Sequence, residues 1–249
     1  MEASLRALWS PTQNQEEIWD EWSRLRYGIG GVAVSRALKR SQDVLLKGLI
    51  YQGLPLMDHE SITSGIWAPG GRIYRLFSKP GKPLLQKEYE DLDGIEFLLW
   101  QSGPVSASVE TFRSAQEEAL QAAAEGMRII ESEQGNLAEE DYAYFRDIFD
   151  NAAYILKAIR LLGELAYATN LVADNYDNHP DPVKLAEQNL RQLEGHTQTI
   201  LREKGNDYFR THYFIKARWK DEVIEAPSLV ESLSVLAKMY QSRLEEYAQ

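Results

Sequence analysis

The chain has 249 residues, enough for one large domain or two small ones with a real core, and its 44% hydrophobic and 26% charged content is ordinary for a globular protein. Its charge of 27 − 38 = −11 and pI near 5.0 argue against nucleic acid and membrane surfaces as partners. There is no cysteine, which excludes disulfides, thiolate nucleophiles and cysteine metal sites.

The opening stretch MEASLRALWSPTQ lacks the basic start and apolar run of a signal peptide, so a cytoplasmic home is expected, or a secreted one if the chain is cut from a larger protein. Thr12 or Asn14 can cap a first helix, with Glu16 and Glu17 at the positive end of its dipole. Ile18, Trp22 and Leu25 fall on one face, and Gly28, Gly30 and Gly31 end the helix. A second helix is expected from Val32 to Gln52, with Val34, Ala37, Leu38, Leu45 and Leu49 as its apolar stripe. A short connection between the two predicts antiparallel packing.

From Gly53 to Pro104 the helical period disappears, and prolines, glycines and aromatics take over. RIYRLF and IEFLLW could form short strands there, as a β-hairpin. A structureless connection of this length is commonly functional, and its rings argue against disorder. A third helix is expected from about Ser106 to Glu133, then a break at EQGN. The strongest pattern runs from about Glu139 to Asp174. Tyr142, Phe145, Phe149, Ala152, Leu156, Ile159, Gly163 and Ala166 step by three and four, and Ile148, Ile155 and Leu162 form a second stripe. A helix apolar on two sides belongs inside a bundle. Asp181 and Pro182 suit the N-cap and first turn of the next helix, whose inward residues are Val183, Ala186, Leu190, Leu193, Thr197 and Ile200, with Gly205 closing it. The segment 206–226 reads equally as helix or extended chain, and Pro227 and Ser228 begin a final helix. The expected fold is a single all-α domain, residues 1–249. It is a bundle of about six long helices, made of a hairpin (12–52), an irregular insertion (53–104) and long helices (105–249).

Few patterns carry chemistry. The four histidines, His59, His179, His196 and His212, lack the H-E-x-x-H spacing that sets two imidazoles on one helical face. His59 lies between Asp58 and Glu60, where a solvated loop histidine is the plain reading and a base or ligand the sharper one. DNYDNHPD lacks the ligand order of an EF-hand and reads as a helix-ending turn. No phosphate-cradling or dinucleotide motif is present, and no cofactor or metal is expected. The notable stretch is Ser64 to Leu84, where Trp67, Tyr74 and Phe77 alternate with Arg72, Arg75, Lys79 and Lys82. Rings beside guanidinium groups suit an acidic sugar, the ring covering its apolar face and the fork meeting its carboxylate. The competing reading has the rings seal the core while the cations stay wet.

One further segment carries a resemblance. LWSPTQNQEEIWDEWSRLRYG, Leu8 to Gly28, resembles the passage from the catalytic barrel to the C-terminal helical domain in α-glucuronidase-like glycoside hydrolases. The matching residues are Trp9, Pro11, Glu16, Glu17, Glu21, Trp22, Arg26, Tyr27 and Gly28. The order of helix, aromatic-rich irregular segment and long helices is also similar. Where that family has a histidine-rich stretch, this chain reads GLPLMDHE. The resemblance implies a helical accessory module whose catalytic carboxylates lie on a barrel absent from this chain. Such a module would support that barrel, mediate dimerisation, or lend a loop to a site for uronic-acid-containing glycan. Its loop candidates are His59, Glu60, Trp67, Arg72, Tyr74 and Arg75. The alternative is a self-standing α-helical interaction or scaffold protein without catalytic activity.

Overall fold

The computed structural model describes residues 15–51, 54–57, 67–69, 71, 74, 77, 109–210, 216–219 and 222–248. The fold is all-α. Helix α1 spans Gln15–Tyr27 and α2 spans Gly31–Asp43, joined by a 3-10 turn at Gly28–Gly30. Two short antiparallel pairs, β1 (Ile50–Tyr51) with β2 (Leu54–Pro55) and β3 (Lys216–Trp219) with β4 (Glu222–Glu225), are its extended elements among the described residues. The long helices are α3 (Val109–Glu131), α4 (Glu139–Ala173), α5 (Pro182–Lys204) and α6 (Leu229–Tyr247). The chain divides into two compact units, Met1–Leu45 with Glu117–Ile155, and Leu46–Gln116 with Leu156–Gln249.

The first unit starts from the glycine turn. Gly28 sits at φ +66°, a left-handed conformation that glycine adopts freely and that stops α1. Gly31 lies so close to the Ser23 backbone that a Cβ there would stand 2.6 Å from the Arg24 nitrogen. Only a residue without a side chain allows this approach. Ser35 Oγ then donates to Asp20 at 2.6 Å, and Lys39 reaches Glu16 at 3.5 Å. These pairs step backward along α1 as they step forward along α2, so the two helices are antiparallel, as expected. Val34 and Ala37 of α2 meet Ile130, Leu137, Phe145 and Phe149 in one core. The expected α1 face is corrected: Ile18 is buried and Trp22 half-buried, but Leu25 is 68% exposed. A three-residue set at i, i+4, i+7 covers two turns and leaves the helix rotation free to follow Gly31.

The α2 expectation also needs correction. The α-helix stops at Asp43, and a π-helical turn follows at Val44–Leu49. The terminal carbonyl of Gly48 is satisfied by Gln116, whose Nε2 donates to it at 3.1 Å. The chain then doubles back as the β1–β2 hairpin, closed by Leu56 N–H donating to the Leu49 carbonyl at 2.9 Å.

In the second unit, α4 is the central rod. Leu156, Ala158, Ile159, Leu162, Leu165, Ala166, Ala168 and Leu171 are all fully buried. Such all-round burial follows from the two apolar stripes in its sequence. The turn after α4 is tied by a reciprocal pair: Asn175 Nδ2 donates to the His179 carbonyl and His179 N–H donates to Asn175 Oδ1, both at 2.8 Å. Asp181 caps α5 by accepting from Lys184 N–H at 3.0 Å, with Pro182 in the first turn. Ser228 and Glu231 form a capping box at the start of α6. Within segment 206–226, the described residues 206–209 form a turn and 216–219 pair with 222–225 as β3–β4, in the register Lys216↔Glu225 to Trp219↔Glu222. His196 of α5 is 4% exposed, while Val183, expected inward, is 49% exposed.

Candidate functional site

Of the six loop candidates, Trp67 and Tyr74 fall among the described residues; His59, Glu60, Arg72 and Arg75 lie outside them. Trp67 is fully buried and Tyr74 is 7% exposed, which corrects the expectation of an outward-facing ring strip at these positions. Trp67 Nε1 donates to the Leu56 carbonyl at 2.8 Å, and the Trp67 carbonyl accepts from Tyr240 Oη at 2.6 Å. The indole therefore has a hydrogen-bond partner as well as a packed environment. At a typical ~200 Å² for a buried indole, hydrophobic burial contributes about 5 kcal/mol as an upper estimate.

Tyr74 and Phe77 are held in the same way. The Tyr74 carbonyl accepts from Asn170 Nδ2 at 2.9 Å, and the Phe77 carbonyl accepts from Tyr176 Oη. The Tyr74 hydroxyl lies 3.5 Å from that of Tyr247. Phe77 N–H donates back to the Tyr74 carbonyl at 3.2 Å, a turn where RIYRLF suggested a strand. Phe77 sets its edge on Phe112, centroids 5.3 Å apart, and Phe112 lies flush against Gly163 of α4. Side chains of α4, its following turn and α6 thus grip the backbone of the insertion, while the insertion's rings fill their core.

Beside this core lies a polar cluster. Arg113 of α3 makes a bidentate pair with Glu164 of α4, both bonds 2.5 Å, and sits 5.7 Å over the Tyr167 ring. Tyr167 Oη donates to Asp177 at 2.6 Å. Burial pushes the phenols of Tyr167 and Tyr176 well above the ordinary tyrosine range; the hydrogen bond to Asp177 adds to it at Tyr167, and the neighbouring Tyr167 adds to it at Tyr176. Burial does the same to Tyr74, helped by the Tyr247 contact, and to the fully enclosed Tyr240. The Glu164 hydrogen bond holds Arg113 charged. These phenols stay neutral; Tyr167, Tyr176 and Tyr240 act as hydrogen-bond donors, and each carboxylate here faces an arginine or a phenol. Among the described residues no group of acids and histidines could hold a metal, and no helix is long and apolar enough to cross a membrane.

The exposed aromatic feature is in the first unit. Trp19, Trp22, Tyr27, Phe145 and Tyr144 form a ladder of edge-to-face contacts, with successive centroids 5.6, 5.8, 5.3 and 5.4 Å apart. Phe145 is 3% exposed and anchors the ladder in the core. Trp19 is 40% and Tyr144 63% exposed at its two ends. Arg26 lies 5.3 Å over the Tyr27 ring. Leu25 and Ile29, on the same helix and the turn after it, are 68% and 85% exposed. Large apolar side chains left open in one stretch mark an interaction surface more often than a bare helix does. Trp19 and Tyr144 were not among the sequence candidates. Their signal was that each aromatic falls outside the apolar stripe of its own helix.

Comparison with protein-family models, with curated proteins and with solved structures finds no match to this chain.

Proposed function

We propose that the chain is a non-catalytic helical module of a carbohydrate-active enzyme, which supports a catalytic barrel by protein–protein contact. The observation that carries this reading is the half-open ladder of Trp19, Trp22, Tyr27, Phe145 and Tyr144. Trp22 and Tyr27 belong to the Leu8–Gly28 stretch that resembles the barrel-to-helix passage of α-glucuronidase-like hydrolases, and the exposed Trp19, Leu25 and Ile29 flank them. The barrel is the occupant that this resemblance names for such a face. Rings anchored in a core through Phe145 and open at both ends of the ladder lose little freedom on docking, which favours affinity. A sugar contact from the insertion would fall to His59, Glu60, Arg72 and Arg75, since Trp67 and Tyr74 are spent on the core.

The alternative, a self-standing helical scaffold, draws on the same exposed ladder with a different partner. Sedimentation velocity separates the two. The chain is mixed with an α-glucuronidase-like barrel expressed as a separate polypeptide. A one-to-one complex supports the module reading. A monomer or homodimer that ignores the barrel and gives no calorimetric signal with uronic-acid oligosaccharides overturns it in favour of the scaffold.

A further inference from the structure

The second unit carries a groove that the reading above does not use. It has a volume of about 380 Å³ and is formed by the end of α4 with α5 and α6. Val172, Leu190 and Leu244 make its half-buried floor, and Glu187, Glu194 and Glu245 stand exposed at its rim. No lysine or arginine is among its described lining residues. On α5 the lining positions are 183, 187, 190 and 194, spaced by four, three and four, so they form one stripe that alternates apolar and acidic. At 1.5 Å per residue that stripe is about 16 Å long, the length of roughly eleven helical residues.

We propose that this groove docks a basic amphipathic helix of a partner protein. An apolar floor with flanking charge is how a groove reads a helix with apolar anchors at i, i+3 or i+4, and i+7. The partner's aliphatic anchors enter between α5 and α6, and its lysines or arginines meet the three glutamates. Rim charge of one sign selects the partner's sign and speeds encounter, and the −11 charge of the whole chain acts in the same direction. The groups facing the rim permit this. Glu187 has an exposed i,i+4 partner in Arg191 at 3.7 Å, a pair weak enough to be exchanged. Glu245 accepts from the neutral Gln241 at 3.1 Å. A second copy of this acidic chain would bring like charge to the same rim.

The test uses the full chain and a labelled 14-residue helical peptide of leucine and lysine with an amphipathic pattern, read by fluorescence anisotropy. Two control peptides replace lysine by glutamate or scramble the pattern. The structure predicts saturable binding of the patterned lysine peptide. Glu187→Gln/Glu194→Gln/Glu245→Gln weakens it about tenfold and flattens its salt dependence, since three exposed ion pairs are lost. Val183→Ser, at an exposed lining position, weakens it with no change in salt dependence. Equal affinity for the triple variant, or equal binding of either control peptide, overturns the proposal. So does a wild-type dimer that the triple variant dissociates, because the occupant would then be a second copy.

Discussion

Gly163 lies in the middle of α4, where alanine would ordinarily be favoured by about 1 kcal/mol. The structure predicts the opposite for Gly163→Ala. A Cβ at this position would press on the Phe112 ring, nearest Cε1, with Cζ at 2.7 Å and Cδ1 at 3.1 Å. Phe112 is fully buried and has Phe77 edge-on at 5.3 Å, so the ring has no open side to turn into. Overpacking of this kind costs about 1–3 kcal/mol, and set against the propensity gain of about 1 kcal/mol it leaves a net loss of up to about 2 kcal/mol. At about 2–4 °C per kcal/mol for a chain of this size, the melting temperature falls by up to roughly 8 °C. Gly195 of α5 is the internal control, since a Cβ there meets nothing within 4 Å. Gly195→Ala should raise stability by up to about 1 kcal/mol. Thermal unfolding by far-UV circular dichroism reads both. Adding Phe112→Leu should lessen the penalty of Gly163→Ala, a coupling that a double-mutant cycle measures. If Gly163→Ala stabilises as much as Gly195→Ala, the packing of α4 against Phe112 described above is wrong.

Other expectations follow from the same geometry. Trp67→Ala should cost about 3–5 kcal/mol in urea unfolding, because it empties a core site and orphans the Leu56 carbonyl; an unchanged midpoint would return Trp67 to the surface. Glu164→Gln should cost about 1–2 kcal/mol, discounted for the 38% exposure of the Arg113 side chain, and a shift near zero in thermal unfolding would mean the pair is ornamental. Tyr240 keeps its proton in the fold above the ordinary value of 10.0, while the unfolded chain ionises there. Its contribution is therefore complete below pH ~10 and is lost as pH climbs beyond it toward the folded value. Ultraviolet titration should show phenols that ionise only on alkaline unfolding, and Tyr240→Phe should reduce their number; phenols that all titrate together near pH 10 would contradict their burial.

The legible parts of the fold were those where one strong pattern acts alone. Helix α4 was expected over 139–174 and spans Glu139–Ala173, because two apolar stripes fix both its length and its central position. The start of α5 was written in Asp181 and Pro182, and that of α6 in Ser228. Where local signals were weak, tertiary contacts decided. Three apolar residues could not fix the rotation of α1 once Gly31 set its approach to α2. Nothing in VLLKGL announced a π-helical turn, since its carbonyl is satisfied by Gln116, far away in sequence. Segment 206–226 had too few residues per element to reveal a hairpin.

The candidate site was legible only as composition. The run of aromatic and basic residues around Trp67 was unusual, but composition does not say which way a ring faces. The deciding partners, Asn170, Tyr176 and Tyr240, lie about a hundred residues or more away. Conversely, Trp19 and Tyr144 stand outside the apolar stripes of their helices, but that they form the two ends of one ladder follows only from the packing.

Inward rings hold this fold, and the proposed role of the outward ladder is to dock an α-glucuronidase-like barrel. Titration calorimetry of the separately expressed barrel into the chain tests it, comparing wild type with Trp19→Ala/Tyr144→Ala. The account predicts that the double variant keeps its melting temperature within a few degrees and loses most of the binding heat. Binding heats unchanged by the two substitutions would contradict it.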